Sequence, residues 1–149
     1  MIEARAINKS YGSLQAVQDL SFKTEPGRVF GIIGPNGAGK STTIRMLMNI
    51  ISPDSGEILI EDKPFSEEDK DRIGYLPEER GLYKKVKVGE ALLYCAALKG
   101  KKRREAEPEI DRWLERFDLQ DWKNRKIEEL SKGMAQKVQF ISAVVHKPD

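Results

Sequence analysis

Apolar positions along this chain follow two periods in turn, and the switches between them mark its elements. Met1 to Ile7 reads as a short strand, Asn8 to Ser13 as a turn, and Val17 to Thr24 as a second strand with Leu20 and Phe22 on one face. Glu25-Pro26-Gly27-Arg28 suits a type II turn, because proline presets φ at the second position and glycine supplies a positive φ at the third. Arg28 to Ile33 is an apolar run read as a strand. Beyond it, Ile44, Leu47, Met48 and Ile51 recur at i, i+3, i+4 and i+7, which predicts a helix with one buried face, ended by Ser52-Pro53-Asp54-Ser55-Gly56. Glu57 to Glu61, with Ile58 and Ile60 alternating, predicts a strand closed by Lys63-Pro64. These flanking strands are expected to be antiparallel and peripheral.

Arg72-Ile73-Gly74-Tyr75-Leu76 predicts a further buried strand, stopped by Pro77. The pattern turns helical from Val88, where Leu92, Cys95 and Ala96 share a face and Gly100 is placed as a C-terminal stop. Ile110, Trp113, Leu114 and Phe117 give a second amphipathic helix, with Pro108 fitting its first turn. Trp113 and Trp122 are read as packing residues. A last helix opens after Leu130 with Ser131 as N-cap, and Val138, Ile141, Ala143, Val144 and Val145 carry an apolar surface to about His146. No internal repeat or low-complexity tract is present.

Between the run 28–33 and the helix lies Gly34-Pro35-Asn36-Gly37-Ala38-Gly39-Lys40-Ser41-Thr42, which satisfies G-x-x-x-x-G-K-[ST] in a strand-loop-helix context. Glycines at 34, 37 and 39 permit torsions and close approach closed to residues with a Cβ, so that successive N–H groups can surround a pyrophosphate. Lys40 adds a point charge. The amides and dipole at the start of the helix favour anions, and the Ser41 hydroxyl is placed to bind the Mg²⁺ that accompanies a nucleoside triphosphate. A glycine-rich turn before an ordinary helix is the plainer alternative. Tyr11, an aromatic in the first turn, could stack on a base. Glu78, Glu79 and Arg80 follow the strand at 72–76; in an open α/β sheet groups there reach the ligand site, although a solvated loop of mixed charge explains them equally.

Bulk properties narrow the class further. A chain of 149 residues with 39% apolar and 34% charged residues has single-domain length and a globular composition. No stretch approaches the roughly 20 apolar residues of a membrane span, and Met1-Ile2-Glu3-Ala4-Arg5 lacks the basic-then-apolar order of a signal peptide, so a cytosolic chain is expected. Cys95 is the single cysteine, which excludes an internal disulfide and suits a buried, inert thiol. A net charge of +2 is too small to argue for nucleic acid. Lys99, Lys101, Lys102, Arg103 and Arg104 could touch phospholipid headgroups, yet Glu105, Glu107 and Glu109 follow directly, and a solvated helix face is the preferred reading.

The phosphate loop, the stretch Tyr75-Leu76-Pro77-Glu78-Glu79-Arg80-Gly81-Leu82-Tyr83 and Leu130-Ser131-Lys132-Gly133-Met134, in this order, resemble the nucleotide-binding subunit of an ABC transporter. The loop alone would admit kinases, GTPases and helicases; a downstream L-S-x-G element opening a helix is far more specific. The resemblance covers the whole chain. It implies an α/β fold with a P-loop NTPase core, RecA-like with a mixed or parallel sheet, an antiparallel β subdomain and a helical subdomain. Residues 1–27 and 55–65 would form the antiparallel part, 28–54, 66–80 and 131–149 the core part, and 81–130 the helical part that docks on the transmembrane partner.

What the resemblance implies for the site can be placed on this numbering. Tyr11 would stack on adenine. Gly34, Pro35, Asn36, Gly37, Ala38, Gly39, Lys40, Ser41 and Thr42 would hold the phosphates of ATP, with Lys40 on the β- and γ-phosphates and Ser41 on Mg²⁺. Glu78 stands where the family usually has a glutamine that senses the γ-phosphate; a carboxylate could still bind Mg²⁺ but brings negative charge near that phosphate. Ser131, the N–H of Gly133 and the following helix dipole would bind the ATP held by a second ATPase subunit in a head-to-tail dimer. The signature departs from the common form at Lys132 and Met134. LSKGM with LPEERGLY looks most like ATPases serving exporters of drugs or sodium.

The family also needs an apolar strand ending in an aspartate for the metal and an adjacent glutamate to polarise water. Neither is among these residues: Lys147-Pro148 precedes Asp149, and His146 is not the family's switch histidine. The expectation is therefore an N-terminal part of a longer subunit, incomplete at its C-terminus, that carries no catalytic residue of its own, binds nucleotide and hydrolyses little. The intact protein is expected to sit peripherally on the inner face of the membrane through transmembrane partners, with no direct nucleic-acid contact. The alternative is a soluble ABC-type ATPase acting on nucleic acid or ribosomes.

Overall fold

A computed structural model of the chain describes residues 1–78 and 81–149. They form two compact units, Met1–Asp69 and Lys70–Asp149. Glu79 and Arg80, named above beside Glu78, lie outside the described residues.

The first unit is a twisted antiparallel sheet with one helix against it. Strands β1 (Ile2–Tyr11), β2 (Leu14–Lys23), β3 (Ser55–Ile60) and β4 (Lys63–Pro64) stand in the order β2-β1-β3-β4, every pair antiparallel. The sequence predicted the first three of these strands and their direction, whereas Lys63-Pro64, read as the end of the third, forms the short strand β4; β1 runs on to Tyr11, through what read as a turn, because Lys9, Ser10 and Tyr11 pair with Val17, Gln15 and Leu14. Ala4, Ile7 and Val17 point to the side where Met46 of helix α1 (Lys40–Leu47) closes the core, with Leu20, Phe22, Ile51 and Ile58 around them. Gly56 has a φ of 85° and lies so close to β1 that a Cβ would stand 2.3 Å from the Ala6 carbonyl oxygen, a position only glycine can hold.

The Pro26-Gly27 turn forms as expected, with Gly27 at φ 71° and the Arg28 N–H donating to the Glu25 carbonyl at 3.3 Å. Residues 28–33 do not form the predicted strand. Val29 and Ile33 are fully exposed, and the segment is tethered by Phe30, whose ring stacks on Phe22 at 4.8 Å. An apolar run states a preference for burial, whereas a strand also needs a partner ladder, and no strand of the four-stranded sheet pairs with this segment. The α1 face is also rotated from the predicted one. Thr43 and Met46 are its buried residues, Ile44 is exposed, and the helix ends at Leu47, where the Met48 N–H bonds the Ile44 carbonyl.

A single-turn helix, α2 (Asp69–Arg72), leads into the second unit, which is helical: α3 (Val88–Leu98), α4 (Arg103–Arg116) and α5 (Lys132–Val144), with 3₁₀ turns at Gln120–Trp122 and Ile127–Glu129. Val88 and Leu92 from α3, Ile110 and Leu114 from α4, and Val138 and Ile141 from α5 make one core. Trp113 and Phe117 stack at 5.8 Å and both meet Phe140 edge-on, so Trp113 packs as expected. Gly100 ends the α3 turn at φ 72°.

Two expectations fail in this unit. Pro108 lies inside α4 instead of in its first turn, because the helix begins at Arg103, where the Glu105 carboxylate accepts from the Lys102 N–H at 3.1 Å. The proline ring is exposed, so the helix loses one N–H donor without a buried clash. Residues 72–76 again form no strand, and α5 with the residues after it supplies the segment's bonds. Asp149 N–H donates to the Arg72 carbonyl at 2.9 Å, Gln139 Nε2 to the Pro77 carbonyl at 3.0 Å, and His146 Nε2 lies 3.3 Å from the Ile73 carbonyl. Gly74 seats so closely that a Cβ would stand 2.4 Å from the Ala143 carbonyl oxygen.

Candidate functional site

The first unit builds a loop shaped for an anion. Gly39 is the N-cap of α1 in the left-handed region, φ 82° and ψ 3°, and Gly37 shares that φ. A Cβ on Gly39 would stand 2.2 Å from the Ala16 carbonyl oxygen and 3.1 Å from Val17 Cγ2, so the loop is pinned to the start of β2. The Thr43 N–H closes the first helical bond on the Gly39 carbonyl at 2.8 Å, and the Ala38 N–H bonds Pro35 at 3.3 Å. Among the described residues no backbone carbonyl accepts from the N–H groups of Gly37, Gly39, Lys40, Ser41 or Thr42. These are the unpaired donors that a helix start offers an anion, reinforced by the macrodipole.

Lys40 folds back over this cradle, with Nζ donating to the carbonyls of Gly34 and Pro35, both at 2.7 Å. These two carbonyls hold a cation at the mouth of the loop. Ser41 is exposed beside it, Thr42 is half-buried and Thr43 is buried under the helix, so the Ser41 hydroxyl is the most open of the three.

Tyr11 ends β1 and pairs with Leu14 across the Gly12-Ser13 connection, two residues before the Ala16 carbonyl that Gly39 packs on. The fold thereby brings the aromatic and the loop to one end of the sheet. The ring is 48% exposed, with Lys9 Nζ 5.9 Å from its centroid. Sequence reasoning missed the clasp behind it. Asp54 receives Lys9 Nζ at 2.7 Å and the Ser10 N–H at 2.7 Å. Lys9, and then that amide, hold its carboxyl below the usual range. Asp54 read only as part of a helix-ending stretch; the signal available was an aspartate whose short side chain bonds backbone in turns.

The remaining expected residues belong to the second unit. Ser131 caps α5, its Oγ accepting from the Met134 N–H at 3.3 Å, and Gly133 is exposed with open space where a Cβ would stand. Glu78 is exposed. Among the described residues no group of three or more histidine, cysteine or acidic side chains could hold a metal. Cys95 is half-buried, and burial pushes its thiol up, against a smaller opposing effect of the Ser142 hydroxyl, in keeping with a packing role. No helix among the described residues is long and apolar enough to cross a membrane.

A glycine-rich loop opening a helix is the phosphate-loop element of P-loop NTPases. The mixed or parallel core sheet expected around it does not form among the described residues, whose strands pair only antiparallel because the runs 28–33 and 72–76 lack ladder partners, and it is the solved structures that give the fold. An ATP binding subunit of an ABC transporter superposes with a TM-score of 0.88 at 29% identity, covering 99% of this chain and 62% of that one. The sequence profile of the family described as "ABC transporter" matches residues 17–149, and the chain belongs to that family. Among curated relatives, the ABC transporter ATP-binding protein YhaQ of Bacillus subtilis is 48% identical over 149 residues, 100% of this chain and 50% of its own. The linearmycin resistance ATP-binding protein LnrL of the same organism is 36% identical, covering 100% of this chain and 49% of its own. The chain thus spans about half the length of these relatives.

Proposed function

We propose that this chain binds ATP with Mg²⁺ at residues 34–42, as the nucleotide-binding part of a transporter ATPase whose closure on ATP moves membrane subunits supplied by another chain. The observation that carries the reading is the row of unpaired amides at Gly37 and Gly39 to Thr42, with Lys40 poised over them. The donor set fits a polyphosphate: amides surround it, Lys40 exchanges two carbonyls for phosphate oxygens, and the Ser41 hydroxyl supplies a ligand for the metal. The bound nucleotide would supply the phosphoryl-transfer chemistry and Mg²⁺ the neutralisation of its charge. Tyr11 gives the base a platform, a contact of about 1 to 3 kcal/mol in other base–aromatic stacks.

Ser131 and Gly133 present a hydroxyl and an open helix start to the ATP of a second ATPase subunit, so the working form is a head-to-tail dimer held peripherally at the membrane. Drug export is the favoured cargo class, supported by the resistance function in the name of LnrL, with sodium export the other option. These 149 residues alone should turn over slowly, since no apolar strand ending in aspartate and glutamate is among them. The test is ATP hydrolysis by the protein as the cell makes it, assayed in membrane and ribosome fractions. Hydrolysis that sediments with membranes and vanishes in Lys40→Ala is expected. Hydrolysis confined to ribosomes, or indifferent to Lys40→Ala, contradicts the reading.

A further inference from the structure

We propose that the corner between α3 and α4 is a docking surface for anionic phospholipid headgroups. In the sequence the run Lys99 to Arg104 looks balanced by Glu105, Glu107 and Glu109. In the structure two of the three acids are drawn to other cations and the third is fixed at the start of α4. Glu105 accepts from the Lys102 backbone N–H at 3.1 Å, which caps α4. Glu107 pairs with Arg103 at 3.3 Å and Lys123 at 3.7 Å. Glu109 is buried and shared between Arg112 and Lys147, the latter at 3.2 Å; burial pushes its carboxyl up, but the two cations together outweigh that and hold it below the usual range. Lys99 is half-buried, its ammonium on the Lys70 carbonyl. What remains is Lys101, Lys102 and Arg104, all exposed, whose side chains form no ion pair with a carboxylate among the described residues.

Folding does not account for these charges. They stand at the N-cap and first turn of α4 or just before it, where the helix dipole repels cations and Glu105 is the one acid in the first turn. The neighbouring surface supplies the apolar half of a headgroup site. Tyr94 and Leu98, four residues apart and so on one face of α3, are 54% and 64% exposed, and that face runs directly into the cationic turn through Lys99 and Gly100. Unpaired cations beside an exposed aromatic and an exposed aliphatic side chain match an interface with phosphate outside and hydrocarbon beneath. The proposal rests on the transporter reading for the nearness of a membrane, and on the observed pairing for its charge.

The experiment is co-sedimentation of the chain with vesicles of equal parts phosphatidylglycerol and phosphatidylcholine, against phosphatidylcholine alone. Binding confined to the anionic vesicles and weakened by salt is expected. The triple variant Lys101→Glu/Lys102→Glu/Arg104→Glu should lose at least about a hundredfold in affinity. Its melting temperature should hold or rise, because acids suit that helix end; Lys101→Ala/Lys102→Ala/Arg104→Ala gives the same answer without charge reversal. Reversal of Lys84, Lys85 and Lys87 should leave binding intact, and equal loss there would mean general attraction and overturn the siting. No preference for anionic vesicles, or retention of single-stranded RNA that vesicles cannot displace, also overturns it. ATP binding measured on the same samples separates the two readings, since nucleotide binding without vesicle preference defeats only this one.

Discussion

At the scale of residues, two glycines with the same φ have different reasons to be there. Gly37 and Gly39 both sit at 82°, but a Cβ on Gly37 would meet open space, whereas one on Gly39 would stand 2.2 Å from the Ala16 carbonyl oxygen. Gly37→Ala should therefore cost only the torsional penalty of a left-handed L-residue, roughly 1 to 2 kcal/mol. Gly39→Ala adds a backbone collision that nothing flexible can relieve, so it should lower the melting temperature further and push the loop off β2, abolishing ATP binding. Thermal melts and ATP titrations of the two variants check this, and equal behaviour would show that the close approach to Ala16 is unimportant. The loop was legible as a string because its spacing, lysine and hydroxyl are all local. The clasp of Asp54 on Lys9 and Ser10 was not, since it joins residues far apart in sequence through the β1–β3 pairing.

At the scale of elements, periodicity predicted the strands of the antiparallel sheet and the helices from Val88 onward, and it failed where an element depends on a neighbour. Residues 28–33 and 72–76 have the composition of buried strands, yet strand geometry is conferred by a ladder partner, which a run of apolar residues cannot reveal. The first run is held by one aromatic stack and the second by hydrogen bonds from α5 and its following residues. The α1 face was misread for a related reason: Ile44 and Met46 are both apolar, and the sheet covers Met46 and leaves Ile44 exposed. His146 makes the α5 tie measurable. It is 2% exposed, and burial, opposed by the Ile73 carbonyl and aided by Lys99 and Lys101 against Asp71, lowers its pKa from 6.5. A lowered folded value means the unfolded chain binds the extra proton first. Stability is therefore full above that unfolded value and is lost as pH falls below it. The melting temperature should fall between about pH 7.5 and 5.5, and His146→Gln should flatten that slope whatever its own stability. An unchanged slope in the variant would remove His146 from the account.

At the scale of the whole molecule, the chain is an α/β unit carrying the glycine-rich loop, followed by a helical unit, and it belongs to the ABC transporter family over residues 17–149. The family was legible because two short elements, the phosphate loop and the L-S-x-G helix start at Ser131, stand in the right order. The basic run 99–104 was legible only as a choice between phospholipid headgroups and a solvated face, because the choice depends on which carboxylates are already engaged. The central claim is that residues 34–42 bind nucleotide phosphates, and calorimetric titration of this chain with ATP and Mg²⁺ tests it most directly. Each charge-assisted bond that Lys40 makes to phosphate is worth about 1.5 to 3 kcal/mol, so Lys40→Ala should weaken binding by roughly 10- to 100-fold. Its half-buried side chain bonds only loop carbonyls, so the melting temperature should stay unchanged. Saturable binding of ATP that falls by that factor in the variant is the predicted result. No heat of binding, or the same affinity with alanine at position 40, would contradict the account.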